Sequence, residues 1–332
     1  MKSSDLSKYV LQSYSKLREF AGEPQSFDKN QVDACFVVGM GGSGIVGRYL
    51  QAAIQGRWGK PIFVVDGFDQ DLPLSSNYAL IAVSYSGSTL ETLEQFKKLA
   101  QRARAIAVVS GKGELLELAL SKGALVEQVG GALAPRFGFP QLLFFTFKVF
   151  SSLIGESWPL RELQECSKKL SEWCTTSFPV KLTEKVAKDL GDRYAVVYAS
   201  EHLKPVGYRW KTQINENAKL PAFFSVLPEA NHNEVNSWKK TKEFYALVLK
   251  GSFYTTHTNA SIFAYIQASG LQHTQLEFKG ETRIEEMLRA TVIGDLLSIK
   301  LAEMNSVDVV ATPLISQVKS LQQSFLKGVK PC

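Results

Sequence analysis

The sequence predicts an α/β chain made of two doubly wound parallel-sheet halves, and three observations carry that reading. Short apolar runs of strand length alternate with amphipathic helical segments over most of the chain. Those runs are apolar throughout rather than alternating, as in parallel strands covered on both faces. The chain's 332 residues also exceed what one hydrophobic core ordinarily organises, so two domains are expected, at residues 1–154 and 155–332.

Taken in order, residues 1–20 are polar and helix-like, with no apolar core before a small-residue cleavage site, so secretion is not expected. Strands follow at 35–38, 62–65, 80–83, 105–109 and 124–129, with helices at 45–54, 90–102 and 114–121 between them. After Pro135 and Pro140 a greasy helix over 141–153 closes the first half. The second half opens with helices at 160–173 and 181–190. Strands are expected at 194–198, 222–226, 245–249 and 274–278, and helices at 205–217, 261–269 and 284–304.

Composition narrows the function classes. Hydrophobic residues make up 45% and charged residues 21%, the balance of a globular protein. The formal charge of +6 is dispersed, with no aromatic-interleaved basic stripe, so nucleic acid is not an expected partner. The apolar run at 142–154 carries Lys148 and falls short of the roughly 20 residues a membrane helix needs, so no membrane is expected. Cys35, Cys166, Cys174 and Cys332 form no Cys-x-x-Cys pair and no metal-spaced cluster with the four histidines. Free thiols in a reducing, cytoplasmic compartment and no metal are therefore expected.

Two loops carry the functional reading. Gly39-Met40-Gly41-Gly42-Ser43-Gly44 joins the first strand to the first βα helix. Its glycines let the backbone approach an anion, the helix start offers free N–H groups, and Ser43 adds a hydroxyl. The same residues fit Gly-x-Gly-x-x-Gly, with Asp66 placed where a ribose-binding acid belongs, so this loop alone leaves a dinucleotide site open. Ser84-Tyr85-Ser86-Gly87-Ser88-Thr89 follows the third strand and opens a helix. Ser88 with Glu91 reads as a capping box, which accounts for one or two of the hydroxyls. Four hydroxyls beside a second glycine-rich loop, at the sheet edge where ligands bind, point to a terminal phosphate on a small molecule.

Together, Gly41-Gly42-Ser43-Gly44 and Ser84 to Thr92 resemble the sugar isomerase (SIS) domain. With Ala134-Pro135-Arg136, Asn215-Glu216-Asn217-Ala218-Lys219, the segment from Leu227 to Asn233 and Lys300-Leu301-Ala302-Glu303, the chain resembles the bifunctional phosphoglucose/phosphomannose isomerases. The resemblance implies two SIS-type domains and a glycolytic or gluconeogenic aldose–ketose isomerase. It would act on a hexose 6-phosphate through an enediol, without cofactor. It also implies roles. Gly42, Ser43, Ser84, Ser86 and Thr89 bind phosphate, Glu216 is the base that shuttles the proton, and Arg136 is the cation for the enediolate. Lys300 helps ring opening or contacts substrate. His232 is the ring-opening acid/base, contributed across the interface of a homodimer. Taken singly, Glu216 reads as a solvated helix-end charge, His232 as an exposed loop histidine and Arg136 as a surface arginine. Thr291 is a candidate for control of C2 epimer tolerance, on which mannose 6-phosphate activity depends. Two rivals stand beside this reading: a non-catalytic SIS regulator that binds a sugar phosphate, and an NAD(P)-dependent dehydrogenase built on the first loop.

Overall fold

The computed structural model describes residues 3–20, 22–24, 32–68, 72, 77–240 and 242–328. Among them, the strands form two parallel sheets. The first contains β1 (Ala34–Val38), β2 (Ile62–Val65), β3 (Tyr78–Ser84), β4 (Ala105–Ser110) and β5 (Leu125–Gln128), in the order β2-β1-β3-β4-β5. Every residue of β1 and β3 is buried, which is why these runs show no polar alternation. Chain direction across the sheet reverses between β1 and β3, so the loops after these two strands flank the crevice where α/β sheets bind ligands.

The helices of this half are α2 (Gly41–Trp58), α3 (Leu90–Leu99), α4 (Glu114–Ser121) and α5 (Phe139–Ile154), preceded by α1 (Ser3–Ser15). The apolar stretch ending in α5 reaches back to Pro135 and is longer than residues 142–154 suggest. By length and composition alone Pro135–Ile154 could cross a membrane. It is instead mostly buried within the protein, packed against α2, β3 and β4, and Lys148 is neutralised by Glu127 at 2.8 Å.

The second sheet holds β6 (Tyr194–Ala199), β7 (Ala222–Val226), β8 (Phe244–Gly251) and β9 (His273–Phe278), in the order β7-β6-β8-β9. Its helices are α6 (Trp158–Thr175), α7 (Phe178–Leu190), α8 (Lys204–Gln213), α9 (Thr256–Ser269), α10 (Arg283–Met304) and α11 (Pro313–Leu326). The two doubly wound sheets expected from the sequence are both present. One core runs through both halves, and a second, smaller cluster covers the other face of the first sheet.

Two elements depart from the expected layout. α1 buries Leu6, Val10 and Tyr14 against α6 and α10, so the amino-terminal helix packs on the carboxyl-terminal half. Burying each of the two aliphatic side chains stabilises that contact by about 1.5–3 kcal/mol. α11 is absent from the sequence-based layout. It has no buried residue, and Leu314, Val318 and Phe325 are largely exposed. Cys35, Cys166 and Cys174 are buried free thiols, with burial pushing Cys166 up to about 11 and Cys174 up to about 12; Cys332 lies outside the described residues.

Candidate active site

The two loops meet at the carboxyl edge of the first sheet. Gly41 takes a left-handed φ of +53° to start α2, and Ser43 Oγ accepts the Tyr85 N–H at 3.0 Å, tying the first loop to the second. Because that hydroxyl accepts from the protein, its own proton remains available to an incoming acceptor. The Tyr85 ring packs against Gly138, and its hydroxyl accepts the Ala132 N–H at 2.7 Å. The second loop is thereby joined to the segment that delivers Arg136.

Within the second loop the hydroxyls divide into two sets. Ser84 is 1% exposed; its Oγ accepts the Gly87 N–H at 3.1 Å and faces Thr89 Oγ1 at 3.4 Å. It shapes the turn from inside, where the sequence led to the expectation that it meets the ligand. Ser86 and Ser88 are exposed and Thr89 is half-buried. The expected capping box is also absent. Thr89, not Ser88, is the residue before α3, and its side chain makes no capping bond. These hydroxyls gather at a helix start whose N-cap side chain makes no capping bond, which is a geometry suited to an anion.

Asp66, the candidate ribose ligand, is paired with Arg48 of α2, whose guanidinium also lies 5.8 Å from the Tyr208 ring centroid. A ribose hydroxyl would have to displace that arginine, which weighs against the dinucleotide alternative. Among the described residues no group of three or more His, Cys, Asp or Glu side chains is placed to hold a metal.

Arg136 stands in the one-turn 3-10 helix Pro135–Gly138 that leads into α5, and it is 4% exposed. A methyl group added at Gly42 would lie 3.6 Å from Arg136 Cα, so the first loop and this turn are in contact. The guanidinium is held from the other half of the chain. Its Nε donates to Asn217 Oδ1 at 2.6 Å, and its Nη2 donates to the Val309 carbonyl and to that of Val310 at 3.2 Å. Its Nη1 faces Glu216 Oε2 at 3.7 Å. Burial pulls the Arg136 pKa below its ordinary value, and Glu216 opposes that shift.

Glu216 projects from a single π-helical turn, Ile214–Ala218, at the end of α8, with its side chain 31% exposed. Such turns are frequent at functional sites because one extra residue re-aims a side chain. Lys219 follows with a left-handed φ of +59° and donates to the Glu216 carbonyl. Burial, with Arg136 nearby, lowers the Lys219 pKa from its usual value. Lys219 closes the motif Asn215-Glu216-Asn217-Ala218-Lys219, and a lysine three residues after Glu216 is the signal that the sequence offers for it.

Three expected residues fall elsewhere. Lys300 is 36% exposed and donates to Glu303 at 2.9 Å, a carboxylate also reached by Ser3. α10 is buried along nearly its whole length, with Thr291, Asp295 and Ser298 among its buried polar residues, and Lys300 is about 200° around the helix from Ser298. Its ion pair is with Glu303 of its own helix rather than with Glu216. Thr291 is fully buried and bonded to the Tyr49 hydroxyl at 2.7 Å and to the Met287 carbonyl, so it cannot meet a sugar directly. His232 ends the turn Glu229–His232 and is exposed, with no hydrogen bond to Glu216 or Arg136. The sequence reading did not include α11, whose Gln322 donates to Glu91 in the first turn of α3 at 3.4 Å. Lys319, one turn earlier on α11, is exposed.

A family model described as the SIS domain matches residues 30–114, and one described as the bacterial phospho-glucose isomerase C-terminal SIS domain matches residues 180–321. The chain is a double-SIS protein. This double-SIS chain is 28% identical over 312 residues, 91% of its length and 94% of the relative's, to a bifunctional phosphoglucose/phosphomannose isomerase of Aquifex aeolicus. It is 29% identical to one of Thermoplasma volcanium, covering 89% of this chain and 93% of that one. It is also 27% identical, over 95% of this chain and 98% of the relative, to a D-glucosamine-6-phosphate 4-epimerase of Sulfolobus acidocaldarius. Among solved structures, the C-terminal domain of glucosamine-fructose-6-phosphate aminotransferase from Francisella tularensis superposes with a TM-score of 0.71 at 15% identity, covering 92% of this chain and 96% of that one. Glucosamine-6-phosphate deaminase from Thermotoga maritima gives 0.69 at 16% identity, with the same coverage. At these identities the solved structures establish the double-SIS fold alone.

Proposed function

We propose that this double-SIS chain is an aldose–ketose isomerase that interconverts glucose 6-phosphate and fructose 6-phosphate, and accepts mannose 6-phosphate through the same enediol. The observation that carries the reading is the pairing of Arg136 from the first half with Glu216 from the second, directly beside the loop containing Gly42 and Ser43. The phosphate sits on Gly42, Ser43, Ser86 and Thr89, held by hydroxyl and backbone donors at the starts of α2 and α3. Glu216 takes the proton from C2 of the open-chain aldose and returns it to C1. Arg136 faces the oxygens on which negative charge develops. His232 opens the sugar ring from the second subunit of a homodimer; its exposure in the single chain agrees with that placement. Lys300 is left out of this scheme because its ammonium is tied to Glu303.

A chain of this kind would work in cytoplasmic hexose phosphate metabolism, with an amino-terminal SIS domain ending near Ile154 and a second beginning near Gly155. A non-catalytic regulator has no need of a cation and a carboxylate facing each other beside the anion loops. The deciding experiment is a coupled assay for fructose 6-phosphate formed from glucose 6-phosphate and from mannose 6-phosphate, repeated with chelator. Product from both, unaffected by chelator, is expected. Product from glucose 6-phosphate alone removes the mannose activity. Because one relative of similar identity is named a 4-epimerase, glucosamine 6-phosphate is run in parallel; turnover of that substrate alone overturns the isomerase reading.

A further inference from the structure

A closed circuit of buried hydrogen bonds surrounds Arg136, and most of its members belong to none of the motifs in the sequence reading. Arg209 of α8 is 2% exposed, and its Nη2 donates both to the Arg136 main-chain carbonyl at 3.2 Å and to Asp295 Oδ2 of α10 at 2.8 Å. The guanidinium carbon of Arg209 also lies 4.2 Å from the Phe139 ring centroid. Arg209 therefore holds the turn at Pro135–Gly138 at two points, the Arg136 carbonyl and the ring that follows the turn. From the other side, the Asp295 carbonyl accepts the Ser298 hydroxyl at 2.7 Å. Ser298 Oγ accepts Asn217 Nδ2 at 2.8 Å, and Asn217 Oδ1 accepts Arg136 Nε at 2.6 Å. The path thus leaves Arg136 through its carbonyl and returns through its guanidinium.

We propose that Arg209, Asp295 and Ser298 are positioning residues that set the direction of the Arg136 guanidinium toward Glu216. This inference rests on the isomerase reading and extends it to residues that touch no substrate. The two ends of the circuit control different things. Arg209 fixes the main chain from which Arg136 projects, while Ser298 orients the Asn217 amide so that its oxygen, not its nitrogen, meets Nε. Burial disfavours the Arg209 charge, and Asp295 with the Tyr14 hydroxyl more than offsets that, holding its pKa above the ordinary value. The second buried guanidinium is thus neutralised locally by Asp295, so that of the two arginines Arg136 is the one that faces Glu216.

The test compares Ser298→Ala with Tyr254→Phe. Each removes one hydroxyl from a buried site, but Tyr254 bonds the main chain of Ser200 and lies outside the circuit. Ser298→Ala frees the Asn217 amide, so kcat should fall ten- to a hundredfold with KM within about twofold of the wild type. Tyr254→Phe should lose comparable thermal stability and keep its kcat. A second readout is the affinity for a five-carbon aldonate 5-phosphate, whose carboxylate imitates the enediolate. Its Kd should weaken in Ser298→Ala, while the Kd for inorganic phosphate stays the same. If both variants lose kcat equally, or Ser298→Ala loses none, the positioning role is overturned. Should the wild-type chain itself lack isomerase activity, the functional reading fails first, and the two failures are told apart.

Discussion

The same crevice occurs in both sheets, and the chain leaves one open and fills the other. In the first sheet, the loops after β1 and β3 present glycines, Ser86, Ser88 and an uncapped Thr89. In the second, the corresponding loops follow β6 and β8. There Glu201 Oε1 accepts the Thr255 N–H at 3.2 Å and the Thr258 hydroxyl at 2.6 Å, placing the chain's own carboxylate at the start of α9. Glu201 adopts a left-handed φ of +44° to do so, a conformation uncommon for a residue with a side chain. Beside it His202 Nε2 meets Glu286 at 2.8 Å, and the other Glu286 oxygen accepts the Ser252 N–H at 2.9 Å. Tyr254 exchanges hydrogen bonds with both main-chain groups of Ser200. Topology offers a ligand site twice, and whether one forms depends on what the loops do with their donors. The second half instead contributes Glu216 and Asn217 from the opposite end of its sheet, where α8 delivers the chain toward β7.

The largest effect expected from this division is at Glu216. Glu216→Gln should lower kcat by a thousandfold or more and leave KM nearly unchanged, since the anchor loops are intact. Steady-state kinetics with glucose 6-phosphate would expose a near-normal turnover, which discards Glu216 as the base. Next come the anchors. Ser86→Ala and Thr89→Ala should each raise KM about tenfold, in line with loss of one hydrogen bond to a charged group. The matching change in the filled crevice, Thr258→Ala, should leave KM alone; a rise there would break the contrast between the sheets.

A smaller effect concerns pH. Lys219 is held below the ordinary lysine value by burial and Arg136, so its charge beside Glu216 disappears earlier as pH rises. For stability the sign is favourable: a base with a lowered folded pKa gains stability as pH climbs from that value toward the unfolded one. For activity, Lys219→Arg should keep the charge and carry the alkaline limb of kcat/KM to higher pH. An unchanged limb would show that Lys219 does not limit the profile. The smallest effect is Glu201→Gln, which should cost about 1 kcal/mol at the start of α9. It should also add a weak phosphate-dependent rise in Tm that the wild type reaches only through its first site. Identical phosphate curves for the two proteins would show that the second crevice stays closed without its carboxylate.

The strands were legible because buried parallel β-structure writes itself as uninterrupted apolar runs, as in Phe36-Val37-Val38 and Leu80-Ile81-Ala82-Val83. The loops were legible because glycine and hydroxyl residues crowd at strand ends. What sequence cannot separate is a hydroxyl facing in from one facing out. Ser84 and Ser86 differ by two positions, and only the turn at Gly87 makes the first structural. Lys300 is a related case: Ile299, Leu301 and Ala302 around it are buried, and the sequence does not show that its ammonium turns to Glu303. α11 was missed because its apolar residues bury nothing in the single chain, although Thr312-Pro313 is a recognisable helix start. Arg209 and Asp295 left no local trace, because a bond between residues 86 positions apart has no spacing to read.

The carbonyls of Val309 and Val310 that accept from Arg136 have a consequence for how the protein comes into being. During translation the arginine emerges early, yet two of its acceptors follow it 173 and 174 residues later. A nascent chain can finish its first sheet, and even form the anion loops, long before that side chain is seated. The ability to turn over substrate should therefore appear abruptly, once residues 309 and 310 have emerged, rather than growing with chain length.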